Sequence, residues 1–159
     1  MSEFELKSPA FCSGGAIPEV YAQAGRNISP PLEWRGLPPD AKSLVLLVED
    51  FDAPVGTVTH WAVHGLDPSR RSLEEGVHAI RQAANDMGHA RYDGPKPPPG
   101  PGHGPHRYRF RLSALDVESL HLPEHATHQD LKKAARTHAL AEAQLVGIFE
   151  TPARGGDHG

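Results

Sequence analysis

The chain has 159 residues, a formal net charge of -4 at pH 7 and one cysteine, Cys12. Its length suits a single domain with a full hydrophobic core. The net negative charge argues against a general nucleic-acid binder, and the lone cysteine excludes an internal disulfide or a cysteine-based zinc site.

The N-terminal segment carries no recognisable targeting signal. Its first 22 residues contain neither a basic stretch nor a long apolar run, so we expect no signal peptide. No apolar run elsewhere approaches the ~20 residues of a membrane-spanning helix. We therefore expect a cytoplasmic protein without an integral membrane segment. It is predicted to form one domain over residues 1–159, with a flexible tail at about 152–159.

The N-terminal half is predicted to be rich in β-structure. Glycine and proline, sixteen of each in the chain, favour turns, and short strands are expected near residues 4–8 and 31–34. Residues 43–50, SLVLLVED, are almost continuously apolar, which is typical of a central strand buried on both faces. After an acidic turn, residues 58–66 carry the β-branched and aromatic side chains of another strand.

The C-terminal half begins with predicted loops over residues 67–90 and a proline- and glycine-rich run over residues 94–105. The strand that follows alternates between an apolar face and a wet, basic face formed by Arg107, Arg109 and Arg111.

The period then changes from that of a strand to that of a helix. Thr127 and Asp130 have the spacing of a capping box, and apolar residues at helical spacing predict a helix over about 128–143. A last strand is expected over residues 143–151.

Ionisable side chains occur in three segments where strands begin or end: EDFDAP, THW and HRY. Strict alternation places His60 on the opposite face from Trp61, and it places His106 and Tyr108 together with Arg107 opposite. If the segments meet, two carboxylates, two imidazoles and a phenol surround one cleft. Imidazolium and phenol groups donate hydrogen bonds to phosphate or carboxylate oxygens, so a small anion site is plausible, with the acids orienting the imidazoles.

An ordered set of motifs spans nearly the whole chain: SPPLEW, KSLVLLVEDFDAP, THW, ND, YDGPKPP, GHGPHRYRF and LSALD. Together they resemble the phosphatidylethanolamine-binding protein family, and the bacterial and archaeal Raf-kinase-inhibitor-like branch in particular. The resemblance implies a mainly β fold, in which a large antiparallel sheet packs on a smaller sheet and a helix lies near the C-terminus. It also implies a small surface pocket for phosphate-like anions.

The resemblance assigns the ligand-binding residues of this pocket as Asp50, Asp52, His60, Pro97, His106 and Tyr108. It further implies an ion pair between Arg107 and the Asp52 turn, and a cis peptide bond before Pro54.

The sequence departs from the family pattern around the expected pocket. The proline between the two acids is replaced by Phe51, and a common cysteine position is occupied by Lys96. A cation, Arg91, precedes Tyr92, and the loop at residues 22–25 lacks the usual cysteine and acid. These changes bear on ligand preference more than on fold.

The function that this reading favours is a non-enzymatic binding protein for a phosphorylated headgroup, nucleotide or phosphopeptide, with no cofactor. Two alternatives stay open. The histidines and a carboxylate could hold a metal ion or activate water for hydrolysis, although no H-E-x-x-H or G-x-S-x-G motif is present. The protein could instead act on a kinase or protease partner through prolines and an exposed Phe51, and a homodimer is also possible.

Overall fold

The computed structural model describes residues 3–98 and 104–151. The predicted flexible tail at 152–159 lies outside the described residues, as do residues 99–103 of the proline- and glycine-rich run.

Eight strands, one helix and a short 3-10 turn make up the described fold. In chain order they are β1 (Glu5–Lys7), the 3-10 turn (Glu19–Tyr21), β2 (Leu32–Arg35), β3 (Ser43–Asp50), β4 (Val58–Leu66), β5 (Ser72–Leu73), β6 (Arg81–Gln82), β7 (His106–Leu115), α1 (His128–Arg136) and β8 (Ala139–Phe149). Two short strands, β5 and β6, thus lie in the region predicted to be loops.

The strands form two antiparallel sheets. The large sheet has the order β6-β4-β3-β7-β8 and the small sheet the order β1-β2-β5. All eight residues of β3 are buried, as predicted for a central strand. One face of β3 packs with the small sheet in the larger core, and the other face packs beneath α1. The predicted mainly β fold, with a large sheet on a smaller one and a C-terminal helix, is confirmed.

The C-terminal helix begins as predicted but ends early. Thr127 and Asp130 form a complete capping box, and the helix stops at Arg136 rather than near residue 143. From Ala139 onward the chain pairs with β7 in register. The alanines at this point are compatible with a helix, but the hydrogen bonds and buried side chains of the β7–β8 pair decide the backbone conformation.

On the face of β7 that was predicted to be wet and basic, Arg107 is exposed as predicted, whereas Arg109 and Arg111 are half-buried. Arg109 and Arg111 converge on Glu49, which is buried, at N–O distances of 2.9 and 3.2 Å, and Lys132 of α1 reaches the same carboxylate at 3.2 Å. Burial works against ionisation, yet Arg111, Arg109 and Lys132 outweigh it and lower the pKa of Glu49. This cluster fastens the helix to the sheet.

The second strand of the large sheet contains a β-bulge that changes the direction of a histidine. Trp61 lies opposite Val48, and Thr59 lies opposite Glu49, which leaves His60 as an extra residue in β4. The ring of His60 therefore lies 5.3 Å from that of Tyr108, on the face where Trp61 joins the larger core. The prediction that His60 and Trp61 occupy opposite faces is wrong, because strict alternation does not continue through a bulge.

The predicted cis peptide bond before Pro54 is also wrong, because the described residues contain none. The acidic turn reverses by other means. Gly56 adopts a φ of 110° and donates from its backbone to the Ala53 carbonyl at 3.0 Å. In addition, the Asp52 amide donates to Asp50 Oδ1 at 2.8 Å.

Gly147 provides a stability test of the packing beside Tyr108, which lies opposite it in β7. A Cβ added at this position would lie 2.5 Å from Ile17 Cγ1 and 2.7 Å from Phe11 Cε2. We expect Gly147→Ala to lower the free energy of unfolding by about 1–3 kcal/mol through overpacking, as measured by urea denaturation. Gln144→Ala, an exposed change on the same strand, should stay within ~0.5 kcal/mol of wild type. Equal stability of the Gly147 variant would contradict this account.

Candidate functional site

Three strand ends meet at one edge of the large sheet. The last residue of β3, Asp50, lies opposite Tyr108 near the start of β7 and opposite Val58 at the start of β4. The sequence left open whether the three polar segments converge, and the structure brings Asp50, His60, His106 and Tyr108 together. We refer to these four residues as the His60–His106 site.

Asp50 orients His106. The imidazole Nδ1 donates to Asp50 Oδ2 at 2.7 Å, and both side chains are buried. The other carboxylate oxygen of Asp50 accepts the backbone N–H of Asp52, so the carboxylate is fixed from two sides. Such a buried pair directs the opposite ring nitrogen, Nε2, away from the acid.

His60 is oriented by a backbone carbonyl. Its Nδ1 donates to the carbonyl oxygen of Asp93 at 2.8 Å, and the residue is 6% exposed. A carbonyl only accepts hydrogen bonds, which assigns the proton to Nδ1 and leaves Nε2 unprotonated in the neutral ring. Among the described residues, neither His60 Nε2 nor His106 Nε2 has a hydrogen-bond partner.

Tyr108 lies between the two imidazoles. His60 meets its ring edge-on at 5.3 Å, and His106 stacks on it at 6.4 Å. The hydroxyl is buried and has no hydrogen-bond partner of good geometry in the described part of the chain. Burial, followed by the nearby Asp50 carboxylate, raises the pKa of Tyr108 far above its ordinary value. The phenol is therefore protonated at all physiological pH values and is available as a donor.

Asn85 holds the segment that carries the acceptor of His60. Its side-chain amide donates to the carbonyls of His60 and Arg91, both at 3.0 Å, and to Asp93 Oδ2 at 2.8 Å. Its side-chain oxygen accepts two backbone N–H groups, at Met87 and His89. In the sequence, Asn85 is recognisable only as part of a motif, and this supporting role does not follow from it.

Asp93 was also missed as a supporting residue. Its carboxylate accepts hydrogen bonds from Asn85 and His89, both at 2.8 Å, and from Arg91 at 3.3 Å. Burial opposes ionisation, but these hydrogen bonds and the charge of Arg91 outweigh it and lower the pKa of Asp93. The signal in the sequence was an acid placed directly before the rigid GPKPP run, where polar side chains commonly organise a turn.

The chain from Gly94 to Pro97 forms one wall of the site and is anchored by a distant loop. The Gly94 amide donates to Asn27 Oδ1 at 2.7 Å, and the Gln23 side chain donates to the Gly94 carbonyl at 3.1 Å. A side chain at Gly94 would overlap the Tyr21 carbonyl oxygen, so only glycine fits. Pro97 is buried, and its carbonyl accepts the Thr151 hydroxyl.

Two of the family departures are now placed in space. Lys96 is exposed beside the wall, and its backbone N–H acts on the Tyr108 hydroxyl, opposing the rise in the pKa of that phenol. Gln23 belongs to the loop that lacks the usual cysteine and acid, and here it binds the wall directly through Gly94.

Asp52 binds Arg107 rather than an imidazole. Its carboxylate binds the Arg107 guanidinium through Nε and a terminal nitrogen, both at 3.0 Å, and it also accepts the Arg107 backbone N–H at 2.8 Å. This is the ion pair that the resemblance implied. Hydrogen bonds from Arg107 lower the pKa of Asp52. These bonds tie the acidic turn to the start of β7, and the assignment of Asp52 as a ligand-binding residue stays a prediction.

Phe51 is half-buried rather than exposed. The guanidinium of Arg109 lies 4.3 Å from the centre of its ring, and that of Arg107 lies 5.8 Å away. The aromatic residue that replaces the family proline is therefore covered by two arginines instead of forming an open apolar surface.

Within the described ranges, no three His, Cys, Asp or Glu side chains come close enough to hold a metal ion together. In the same residues, no helix has the length and apolar character needed to traverse a bilayer.

A family model described as phosphatidylethanolamine-binding protein matches residues 7–150. The chain belongs to the phosphatidylethanolamine-binding protein family. Among its relatives, a UPF0098 protein of Aquifex aeolicus is 41% identical over 152 residues, covering 92% of this chain and 88% of the relative. A UPF0098 protein of Methanothermobacter thermautotrophicus is 43% identical over 151 residues, covering 91% of this chain and 97% of the relative.

Solved structures of the phosphatidylethanolamine-binding protein family share the fold. The homolog CT736 from Chlamydia trachomatis superposes with a TM-score of 0.87 at 39% identity, covering 96% of this chain and all (100%) of that one. YbcL of E. coli, described as a member of the mammalian family, gives a TM-score of 0.88 at 25% identity, covering 95% and 100% of the two chains.

The lowered pKa of Asp93 leads to a pH-dependent stability. Its carboxylate contributes stability that is complete above the unfolded pKa of ~3.9 and is lost as the pH falls through the lower folded pKa. We therefore expect wild type to be more stable than Asp93→Asn at about pH 5, with the difference shrinking towards about pH 3. Urea unfolding across this range measures it. Other carboxylates are common to both proteins, so a difference that stays constant or grows would refute the assignment.

Proposed function

We propose that the protein is a non-enzymatic binding protein whose His60–His106 site takes up a phosphate-like anion. The anion would belong to a phosphorylated headgroup, a nucleotide or a phosphopeptide. The observation that carries the proposal is that each imidazole has its Nδ1 committed to a fixed acceptor, at 2.8 Å for His60 and 2.7 Å for His106. Both rings therefore offer only Nε2 to a ligand.

The chemistry around Nε2 suits an anion with several oxygens. Protonated imidazoles donate charge-assisted hydrogen bonds to phosphate oxygens, and the buried Asp50 carboxylate holds the His106 ring with Nε2 directed away from the acid. The Tyr108 hydroxyl, which is protonated and lies near the Asp50 carboxylate and the Lys96 backbone N–H, supplies a third donor between them. The site offers donors from two strands, β4 and β7, that the sheet has already positioned, so little ordering is required on binding.

The same arrangement supports binding rather than hydrolysis. Asp50 is occupied by His106 and by the Asp52 amide, which leaves no free carboxylate among the four residues to activate water. His60 donates to a backbone carbonyl rather than to an acid, so it lacks the orienting carboxylate of a nucleophile–base–acid arrangement.

Calorimetric titration with phosphoethanolamine and with inorganic phosphate tests the proposal. We expect His106→Gln and Asp50→Asn each to weaken binding at least about tenfold, or ~1.4 kcal/mol, because Nε2 loses its charge or its orientation. His121→Gln, which removes an exposed imidazole from a loop, should bind as wild type does. Wild-type affinity in both site variants, or the absence of any heat with wild type, would overturn the proposal.

A further inference from the structure

A second bulge in β4 creates a different environment at the other end of the strand. Leu66 lies opposite Leu44 and Val63 lies opposite Leu46, so the two residues His64 and Gly65 stand against one residue of β3, and β4 carries one extra residue here. Gly65 adopts a φ of 66°, in the region that favours glycine. Bulges re-aim side chains and occur often beside functional sites. The first bulge in β4 supplies His60 to the anion site, and the second turns His64 towards a cleft.

This cleft has a volume of about 520 Å³. Small-molecule sites range over roughly 300–1,000 Å³, so the cleft is large enough for a ligand. One wall is polar and is formed by His64, Arg81, Gln82 and His125. The other wall is apolar and includes Leu120 and Leu122. Along β4 it is separated from His60 by four residues, or about 13 Å at the rise of an extended strand.

Arg81 is the charged group at the centre of this region. Its backbone pairs with that of His64, and its side chain packs over Gly65, where an added Cβ would lie 3.1 Å from Arg81 Cδ. Among the described residues it forms no ion pair. The nearest acids along the groove, Asp67 and Glu118, line an adjoining arm together with Lys42. Asp67 Oδ1 is already bonded to the backbone and hydroxyl of Ser69. The guanidinium thus presents its donors to the groove without a protein counter-ion.

His64 adds a neutral hydrogen-bonding group beside this charge. Burial, followed by the charge of Arg81, lowers the pKa of His64. At pH 7 the imidazole is therefore uncharged and can both donate and accept. The net charge facing the cleft comes from Arg81, which matches a ligand with a single anionic group.

The opposite wall is apolar. Leu120, Leu122 and Ala126 pack against the core beneath α1, and each is only partly buried, so one side of each faces outward. An occupant that covers these side chains gains apolar burial in addition to its contact with Arg81.

We propose that this cleft binds a small amphiphilic anion, with a carboxylate or phosphate group at Arg81 and an alkyl body along Leu120 and Leu122. The proposal is independent of the His60–His106 site, because the two sites share no residue and occupy different bulges of β4.

Amide chemical-shift titration of the full chain tests it, with octanoate and octyl phosphate as probes. We expect both to shift the Gly65 and Gln82 amides and to bind at least about tenfold more weakly to Arg81→Gln, since one charge-assisted contact is lost. Arg35→Gln, an equal loss of charge on the exposed small sheet, should bind as wild type does. His106→Gln should also leave octanoate binding unchanged, which separates this site from the proposed anion site.

Two further probes keep the proposal open to refutation. Octyltrimethylammonium has the same chain with the opposite charge, and inorganic phosphate has the charge without the chain; both should bind this cleft at least about tenfold more weakly than octyl phosphate. Equal binding of the cation, equal binding of inorganic phosphate, or unchanged affinity in Arg81→Gln would each overturn it. The exposed position of Arg81 makes a folded variant the expected result, and its amide spectrum reports this directly.

Discussion

The strand β3 constrains everything that surrounds it. Its eight residues are buried, and its backbone is hydrogen-bonded to β4 on one side and to β7 on the other. A neighbour that carries more residues than this ladder can pair must place the surplus in bulges. β4 does so twice, at His60 and at His64–Gly65, and in both cases the displaced residues border a polar site. β7, in contrast, pairs with every residue of β3 from Ser43 to Asp50 without a bulge. Tyr108 therefore lies opposite Asp50, the acid that orients His106.

Electrostatics in this protein depend on buried acids with assigned partners. Glu49, Asp50 and Asp93 are each buried, and each binds a cation or an imidazole. An unpaired buried carboxylate would cost free energy of folding. Each of these acids therefore stays bonded to its partner and fixes the position of that partner. Glu49 holds the helix, Asp50 orients His106, and Asp93 stabilises the loop whose carbonyl orients His60. Of these three buried acids, one therefore stabilises the fold and two position groups of the candidate site.

Local sequence patterns predicted those parts of the fold that local chemistry decides. The uninterrupted apolar run of β3, the alternation of β7 and the capping box at Thr127 each follow from short-range rules, and all three are present. The end of α1 did not follow, since the alanines from Ala139 to Ala143 fit a helix until the partner strand is known. Bulges are equally hidden, because an extra residue is defined only relative to the neighbouring strand.

The same distinction holds for the candidate site. The residue types that gather there were visible as three polar segments, and the match to a family motif ordered them. The supporting role of Asn85 was not visible, because its five side-chain hydrogen bonds, four to backbone groups and one to the Asp93 carboxylate, reach partners that only the folded loop brings near it. Asp52 shares a motif with Asp50, but the two acids have different partners, since Asp52 binds Arg107 and Asp50 binds His106.

Gly94 is attached to the loop at residues 22–25. Because of this attachment, some positions near the site tolerate amino-acid substitution and others do not. The attachment uses backbone groups and the amide of Gln23, whereas Ala24 in the same loop is exposed and contributes no side-chain bond. Substitutions at Ala24 can therefore alter the surface of this loop while the bonds to both Nδ1 atoms stay intact. In evolutionary terms, the surface of the loop can diversify at little cost to the interior.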